Sequence, residues 1–438
     1  MRPLFELEKT AINVDWNVLK IKRVLDTPIT DGPHETPELL DEGIPFLSAE
    51  SVKKGKIDFN LKRGYISRED HEKYIKKCKP QRDDIFMIKS GATTGNVAMV
   101  ETDEEFSIWS PLALIRADKE IIQPKYLYYF IGSAAFREQV EISWSFGTQQ
   151  NIGMKVIENL FISIPPLHLQ EKLVHYIEKK VVQIDKLIEM KELNIKLLEQ
   201  QRQSIITEAV TKGLNPNVKM KDSGVEWIGE IPEHWDTKKI KYLIQEKLLY
   251  GANESAELDD EKLPRYIRIT DIDELGNLKN ETFKSIPLDI ANKYVVKKGD
   301  ILLARSGATV GKSYIHKEEK EASYAGYLIK LRARTLELAE YIYYFTNSSL
   351  YKQWINSILI QATIQNVSAE KYANLSIPVP NDENEIKSIL LNIKFKEKEI
   401  LEVINKLKEQ IEKLKEYRQS LIYEAVTGKI DVRDMELD

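Results

Sequence analysis

The sequence predicts an α+β protein. Two similar mixed α/β domains are joined by two long helices that form an antiparallel coiled coil, related by a pseudo-two-fold internal repeat. Three observations carry this reading. The same blocks of sequence occur twice, in the same order and at nearly one offset. Each copy opens with a stretch rich in β-branched and aromatic residues, broken by Gly, Pro and Asp, as short strands and turns require. Each copy closes on a heptad run too long for an ordinary surface helix.

The repeat is read directly. The block from Asp84 to Gly95 (DIFMIKSGATTG) recurs from Asp300 to Gly311 (DILLARSGATVG), with seven of twelve positions identical at an offset of 216. Tyr126–Phe130 recurs as Tyr341–Phe345, and Gln150-Asn151 as Gln365-Asn366, both at an offset of 215. Arg202–Thr211 (RQSIITEAVT) recurs as Arg418–Thr427 (RQSLIYEAVT), again at 216. Trp16 and Trp235 start the two copies. The unit is about 215 residues.

The elements follow in order. Residues 1–166 form the first domain, 167–212 the first long helix, 213–234 a polar linker, 235–380 the second domain, 381–428 the second long helix and 429–438 an acidic tail. Within the domains, 126–140 and 341–355 read as amphipathic helices. Proline closes each globular part, at Pro165-Pro166 and at Pro378 and Pro380, because it stops one element and prepares a helix start. In the first long helix the seam runs Val174, Ile177, Val181, Ile184, Ile188, Ile195, Leu198, Ile205, Ala209, with Lys191 and Arg202 as polar breaks. In the second it runs Leu390, Ile393, Ile400, Ile404, Leu407, Ile411, Leu414, Leu421, Ala425, interrupted by Glu397 and Arg418. A polar seam residue fixes register at some cost in stability. Short connections favour an antiparallel pair, since a parallel one needs a return path along the whole rod. The expected product is a dumbbell whose rod is roughly 55–60 Å long at 1.5 Å per residue.

Composition narrows the function. The 438 residues carry a net charge of -5, a mean hydropathy of -0.38 and a single cysteine, Cys78. That excludes an internal disulfide framework and a multi-cysteine zinc site, and it fits a reducing compartment. No apolar run reaches the ~18 residues of a membrane-spanning helix, and no signal-peptide stretch opens the chain. A cytoplasmic protein with no membrane partner is expected. The net charge by itself argues against nucleic acid. Locally it does not: 53–89 holds 12 Lys/Arg against 6 Asp/Glu, and 279–317 holds 8 against 3. Two similar modules on a rod suit duplex DNA, whose half-sites repeat about one helical turn apart. Lysines in both basic segments would supply phosphate contacts.

Catalytic motifs are missing. Gly307–Ser313 resembles a phosphate-cradling P-loop, but it is one residue short, and the first copy has Asn96 and Val97 where the motif needs Lys and Ser. What the copies share is a turn. The six histidines show no metal-ligand spacing, and no nucleophile elbow or dinucleotide fingerprint occurs.

The chain resembles the specificity (S) subunit of type I restriction–modification enzymes. The residues that carry the resemblance are the D-D-I/G-D-I and S-G-A-T-x-G blocks, the helix start S-I-P-P-L-H-L-Q-E-K, the block R-Q-S-I-I-T-E-A-V-T-K-G-L, and S-G-V-E-W-I-G-E-I-P-E-H-W at Ser223–Trp235. The resemblance implies two target recognition domains, each reading one half of a split double-stranded DNA sequence with a nonspecific gap. It implies a helical spacer that docks two methyltransferase (M) subunits, with restriction (R) subunits joining them. S-adenosylmethionine, ATP and magnesium would be used by those partners, and this chain would bind no cofactor and catalyse nothing. Candidate DNA contacts, chosen by position and chemistry, are Lys53, Lys54, Arg63, Ser90, Thr93 and Gln149 in the first domain. In the second they are Arg265, Arg268, Ser306, Thr309, Lys312 and Gln365. Ile188, Ile195, Arg202, Ile404, Ile411 and Arg418 are the candidates for the spacer and docking helices. The competing reading is a coiled-coil scaffold that joins two partners and never meets DNA.

Overall fold

The computed structural model describes residues 16–434, except 54, 144–150, 274–275, 308 and 361–365. It divides into two compact units, Met1–Lys191 with Glu409–Asp438, and Glu192–Lys408. The long helices, Leu167–Lys212 and Glu383–Val426, each give a segment to both units.

The first unit is built on a four-stranded antiparallel sheet in the order Thr30–Asp31, Leu112–Ile115, Ile85–Ile88, Val97–Met99. Its two central strands are buried along their whole length because both faces are covered. Ile85, Met87, Ala113 and Ile115 point into a core shared with the helices, while Phe86, Ile88, Leu112 and Leu114 point into a second core on the other face. That explains continuous apolar runs where a half-buried strand would alternate. The second unit repeats the arrangement with Leu249–Tyr250, Leu328–Leu331, Ile301–Ala304 and Ser313–Ile315. Ile301, Leu303, Ile329 and Leu331 face one core, and Leu302, Ala304 and Leu328 the other.

Each globular part is closed by its own ends. Asn17–Lys20 pairs antiparallel with Phe161–Ile164, and Trp235–Lys239 with Ser376–Pro380. Each pairing forms a two-stranded sheet, which leaves the closing strand at an edge and so tolerates Pro378 and Pro380.

The repeated C-terminal block of each long helix is explained by what it touches. In the first unit the Tyr126 hydroxyl donates to the carbonyls of Ser163 (2.8 Å) and Val426 (3.2 Å). In the second, Tyr341 donates to Pro378 (3.0 Å) and Val210 (2.9 Å). The glycine after each helix lies beside a tryptophan: a Cβ on Gly428 would meet the Trp16 ring at 3.4 Å, and one on Gly213 would meet Trp235 at 3.2 Å. Both glycines have positive φ, as a helix C-terminus favours.

Within each unit the two helix segments run antiparallel. In the first, Arg418 is paired with Asp185, and Lys191 donates to Gln410 at 2.7 Å. In the second, Arg202 is paired with Glu397, which also accepts from the Tyr344 hydroxyl at 3.0 Å. Two of the seam's polar interruptions, Arg202 and Glu397, are therefore each other's partners. Ile184, Ile188, Ile400, Ile404 and Ile411 are buried, and Ile195 is half-buried.

The structure departs from the sequence reading in four places. The 126–140 and 341–355 helices are each two helices: Pro124–Ile131 then Ala134–Ser143, and Leu336–Phe345 then Ser349–Ile360. Ser133 and Thr346 break them by donating side-chain hydrogen bonds to the preceding turn, at Phe130 and Tyr343. Near its end the first long helix buries Ile206 rather than the seam residue Ile205, because that end packs on the second unit's core. The 213–234 stretch is folded: Met220–Asp222 pairs with Glu230–Pro232, and Ile228 and Ile231 enter the core. The start of the acidic tail also packs, through Ile430 and buried Val432.

Candidate nucleic-acid interface

The Ser-Gly-Ala-Thr loops are hairpin turns. Residues 89–96 join the strands Ile85–Ile88 and Val97–Met99, closed by Gly95 N to Ile88 O at 2.8 Å. Gly311 N to Ala304 O, at 2.9 Å, closes the second copy in the same way. Gly91, Gly95, Gly307 and Gly311 all have φ between 77° and 103°, so the turn demands glycine at both ends of each loop. A P-loop needs a helix after the glycines. Here a strand follows, and the Lys312 ammonium donates to the Ile272 carbonyl at 3.0 Å. Thr93 is exposed, and Ser90, Ser306 and Thr309 are partly so. None of these four hydroxyls makes a hydrogen bond among the described residues. Ser90 bridges Asn151 and Ser306 bridges Asn366, which joins each loop to the repeated Gln-Asn block. Gln149 and Gln365 lie outside the described residues, as does Lys54.

A small hairpin lies against each of these turns. In the first unit it is Val52–Lys53 paired with Lys56–Ile57, packed on Val97–Met99. In the second it is closed by the bridge Ile272–Leu278, and Lys312 reaches it. One tyrosine backs each hairpin's glycine: a Cβ on Gly55 would lie 2.5 Å from the Tyr128 hydroxyl, and one on Gly276 2.5 Å from that of Tyr343. Burial pushes the Tyr343 hydroxyl up to about 12 and raises Tyr128 as well, so both stay protonated. The sequence candidates Lys53 and Ser90–Thr93 are thus brought onto neighbouring elements, as are Lys312 and Ser306–Thr309.

The candidate arginines divide. Arg63 is exposed, and its guanidinium lies 3.9 Å over the Trp109 ring and 3.7 Å from Glu50. Arg268 grips Asp271 with two donors, at 3.0 and 2.6 Å, and gives another to the Thr282 carbonyl at 3.0 Å. The Asp271 hydrogen bonds raise its pKa further. Arg265 donates to the Lys279 carbonyl at 2.6 Å. Arg265 and Arg268 therefore hold the turn at 279–282; Arg268 has three donor contacts engaged inside the unit, whereas the buried Nε of Arg265 has no partner among the described residues. Sequence reasoning passed over Arg305, whose guanidinium lies 4.6 Å over the Tyr250 ring and whose Nε donates to Asn366 at 3.3 Å. Its repeat counterpart is Lys89, buried against Asp31 at 2.6 Å. Aligning the two copies is the signal that finds it. Lys56 was missed too, though it belongs to the same basic run as Lys53.

The buried charges are structural. Asp84 takes two hydrogen bonds from Arg116, both 2.7 Å, and Asp300 two from Arg332, at 2.7 and 2.6 Å. These are the aspartates of the repeated blocks, and each also accepts from a turn amide, Gln81 or Lys297. Asp31 is held below the usual carboxylate range: burial opposes ionisation, and Lys77 and Lys89 more than offset it. Burial pushes the Cys78 thiol up to about 12. Among the described residues no group of three His, Cys, Asp or Glu side chains could hold a metal ion, and no helix is long and apolar enough to cross a membrane.

Two units of one fold, each presenting a turn and a hairpin of its own charge, define a duplicated recognition protein. Comparison with known proteins supplies the family. The profile of the type I restriction modification DNA specificity domain matches residues 13–200 and again 232–421. The chain belongs to this family, as a specificity subunit. It is 25% identical over 444 residues to the type I restriction enzyme MjaVIII specificity subunit of Methanocaldococcus jannaschii, covering 98% of this chain and 96% of that one. It is 26% identical over 430 residues to the putative MjaX specificity subunit of the same organism, covering 96% and 94%. A chain solved in work on assembly and conformational transition of the type I R-M system shares the fold, with a TM-score of 0.70 at 15% identity, covering 95% of this chain and 99% of that one.

Proposed function

We propose that each unit reads one half of a bipartite duplex DNA sequence, and that the helices fix the length of the unread gap. The observation that supports this most strongly is the comparison of the two copies. The Ser-Gly-Ala-Thr turn, the aspartate–arginine pairs and the tyrosine tethers recur in both, while the charges on the neighbouring hairpin and the Asp31–Lys89 and Tyr250–Arg305 positions differ. Two modules of one fold with different exposed chemistry suit two half-sites of different sequence. The helices also dock two methyltransferase subunits, and restriction subunits join through them. Buried Ile188, Ile404 and Ile411 hold the spacer together. The exposed Leu187, Met190, Leu193, Leu197, Leu391 and Phe395 give the helices apolar surface for a partner. S-adenosylmethionine, ATP and magnesium belong to those partners, this chain is non-catalytic, and the complex works in the cytoplasm.

The test is selection from a random duplex library by the full chain with its methyltransferase subunits. Enrichment of two short fixed motifs separated by unspecified bases is expected. Adding one helical turn to both long helices changes the spacing and leaves the two motifs intact. Selection of no motif contradicts the reading, and a single continuous motif contradicts the two-reader arrangement.

A further inference from the structure

The hairpin at 52–57 is unusual in its charge. Lys53 and Lys56 are direct cross-strand partners, and both are exposed. Like charges placed opposite each other weaken a strand pair. Neither ammonium makes a hydrogen bond or ion pair among the described residues, whereas Lys73 pairs with Glu35, Lys77 and Lys89 with Asp31, Lys119 with Asp83 and Lys125 with Glu178. The hairpin is nevertheless anchored to the sheet. Gly55 takes φ 79°, its carbonyl accepts from the Tyr128 hydroxyl at 3.3 Å, and both strands pack on Val97–Met99. The anchored strands thus hold two unmatched positive charges side by side.

The second unit has a hairpin at the corresponding place, closed by the Ile272–Leu278 bridge and one residue longer, without those charges. Gly276 takes φ 77° under Tyr343, as Gly55 does under Tyr128. In the register set by the two glycines, Asn277 stands where the first unit has Lys56. Asp273 precedes the turn, and its carboxylate accepts from the Asn277 amide at 2.8 Å. A carboxylate there repels phosphate.

We propose that the Lys53–Lys56 hairpin is a phosphate clamp on the DNA backbone carried by the first unit alone. The two half-sites are then held with unequal electrostatics. The first unit supplies more of the salt-sensitive, sequence-independent affinity, and the second depends more on contacts to base edges. This inference rests on the DNA-recognition reading above.

The experiment measures duplex affinity of the full chain, with its methyltransferase subunits, across a series of salt concentrations, on a target and on a non-target duplex. Each phosphate contact contributes about 0.9 to the slope of log K against log salt. K53Q/K56Q is expected to flatten the slope by about 1.8 on both duplexes, with the selected motif unchanged. K53R/K56R is expected to restore it. D273N/N277K is expected to steepen the slope by about 0.9, because it rebuilds one half of the clamp in the second unit and removes the carboxylate beside it. An unchanged slope in K53Q/K56Q, with wild-type binding retained, overturns the clamp and leaves the recognition reading standing. A changed base preference at one half-site overturns it in favour of base reading by the hairpin. Absence of duplex binding by the wild-type complex overturns the recognition reading itself and the clamp with it.

Discussion

The first and second units place different chemistry on the same frame. At one sheet position Asp31 binds Lys89, and at the matching position Tyr250 lies under Arg305, so a salt bridge in one copy is a cation–ring stack in the other. The glycines that follow, Gly32 and Gly251, are both required by close backbone approach. A Cβ would lie 1.8 Å from the Ile108 carbonyl in one and 2.3 Å from the Tyr324 carbonyl in the other. Backbone geometry, the aspartate–arginine pairs and the tyrosine tethers are common to both units. The charges on the neighbouring hairpin are not: Lys53 and Lys56 in the first unit, Asp273 and Asn277 in the second.

The largest expected effect breaks the common frame. Asp84→Ala leaves the Arg116 guanidinium, 22% exposed, without its buried partner. A loss of about 3 kcal/mol is expected, the lower end for breaking a buried pair. Asp300→Ala costs less, about 2 kcal/mol, because Arg332 keeps Glu246 at 3.5 Å. Urea unfolding of both variants checks the order, and equal losses would show that Glu246 contributes nothing.

A smaller effect separates the units by pH. Burial, the largest influence, holds His71 below its ordinary value, and its Nδ1 lies 2.9 Å from the Ser107 hydroxyl. Its folded pKa is lower than the unfolded ~6.5, so protonation favours unfolding. The stability it contributes is complete above about pH 6.5 and is lost as pH falls through the lower folded value. Ala291 stands at the matching place in the second unit. His71→Gln is expected to flatten the decline in urea midpoint between about pH 7 and pH 5. An unaltered decline would assign it to other groups.

The smallest effect gives a probe. Cys78 is 3% exposed, its thiol is pushed up to about 12, and the chain has no other cysteine. A thiol reagent is expected to leave the native protein untouched and to label it only as the first unit opens. The labelling rate then reports that unit alone. Asp84→Ala should raise it strongly and Asp300→Ala should not.

Much of the frame was legible in the sequence. The repeat, the two long helices and the buried seam follow from identical blocks and heptad spacing. The helix breaks at Ser133 and Thr346 were hidden because apolar periodicity continues across them, and the break depends on a hydroxyl turning back to a carbonyl. The interface was legible only in part. Lys53 and the Ser-Gly-Ala-Thr turns reach exposed, neighbouring elements. Arg268 looked equally available in the sequence, yet Asp271, three residues on, takes its donors. Charge in a linear sequence says nothing about whether a partner is already engaged. The contrast between Lys56 and Asn277 became visible only when Gly55 and Gly276 set the register.

The central claim is that each unit reads its own half-site. It is tested most directly by replacing the globular part of the second unit, residues 235–380, with that of a related specificity subunit. The methylated motif is then sequenced in host DNA carrying the exchanged chain and its methyltransferase subunits. One half of the motif is expected to change, while the other half stays the same. A motif altered in both halves, or in neither, would contradict it.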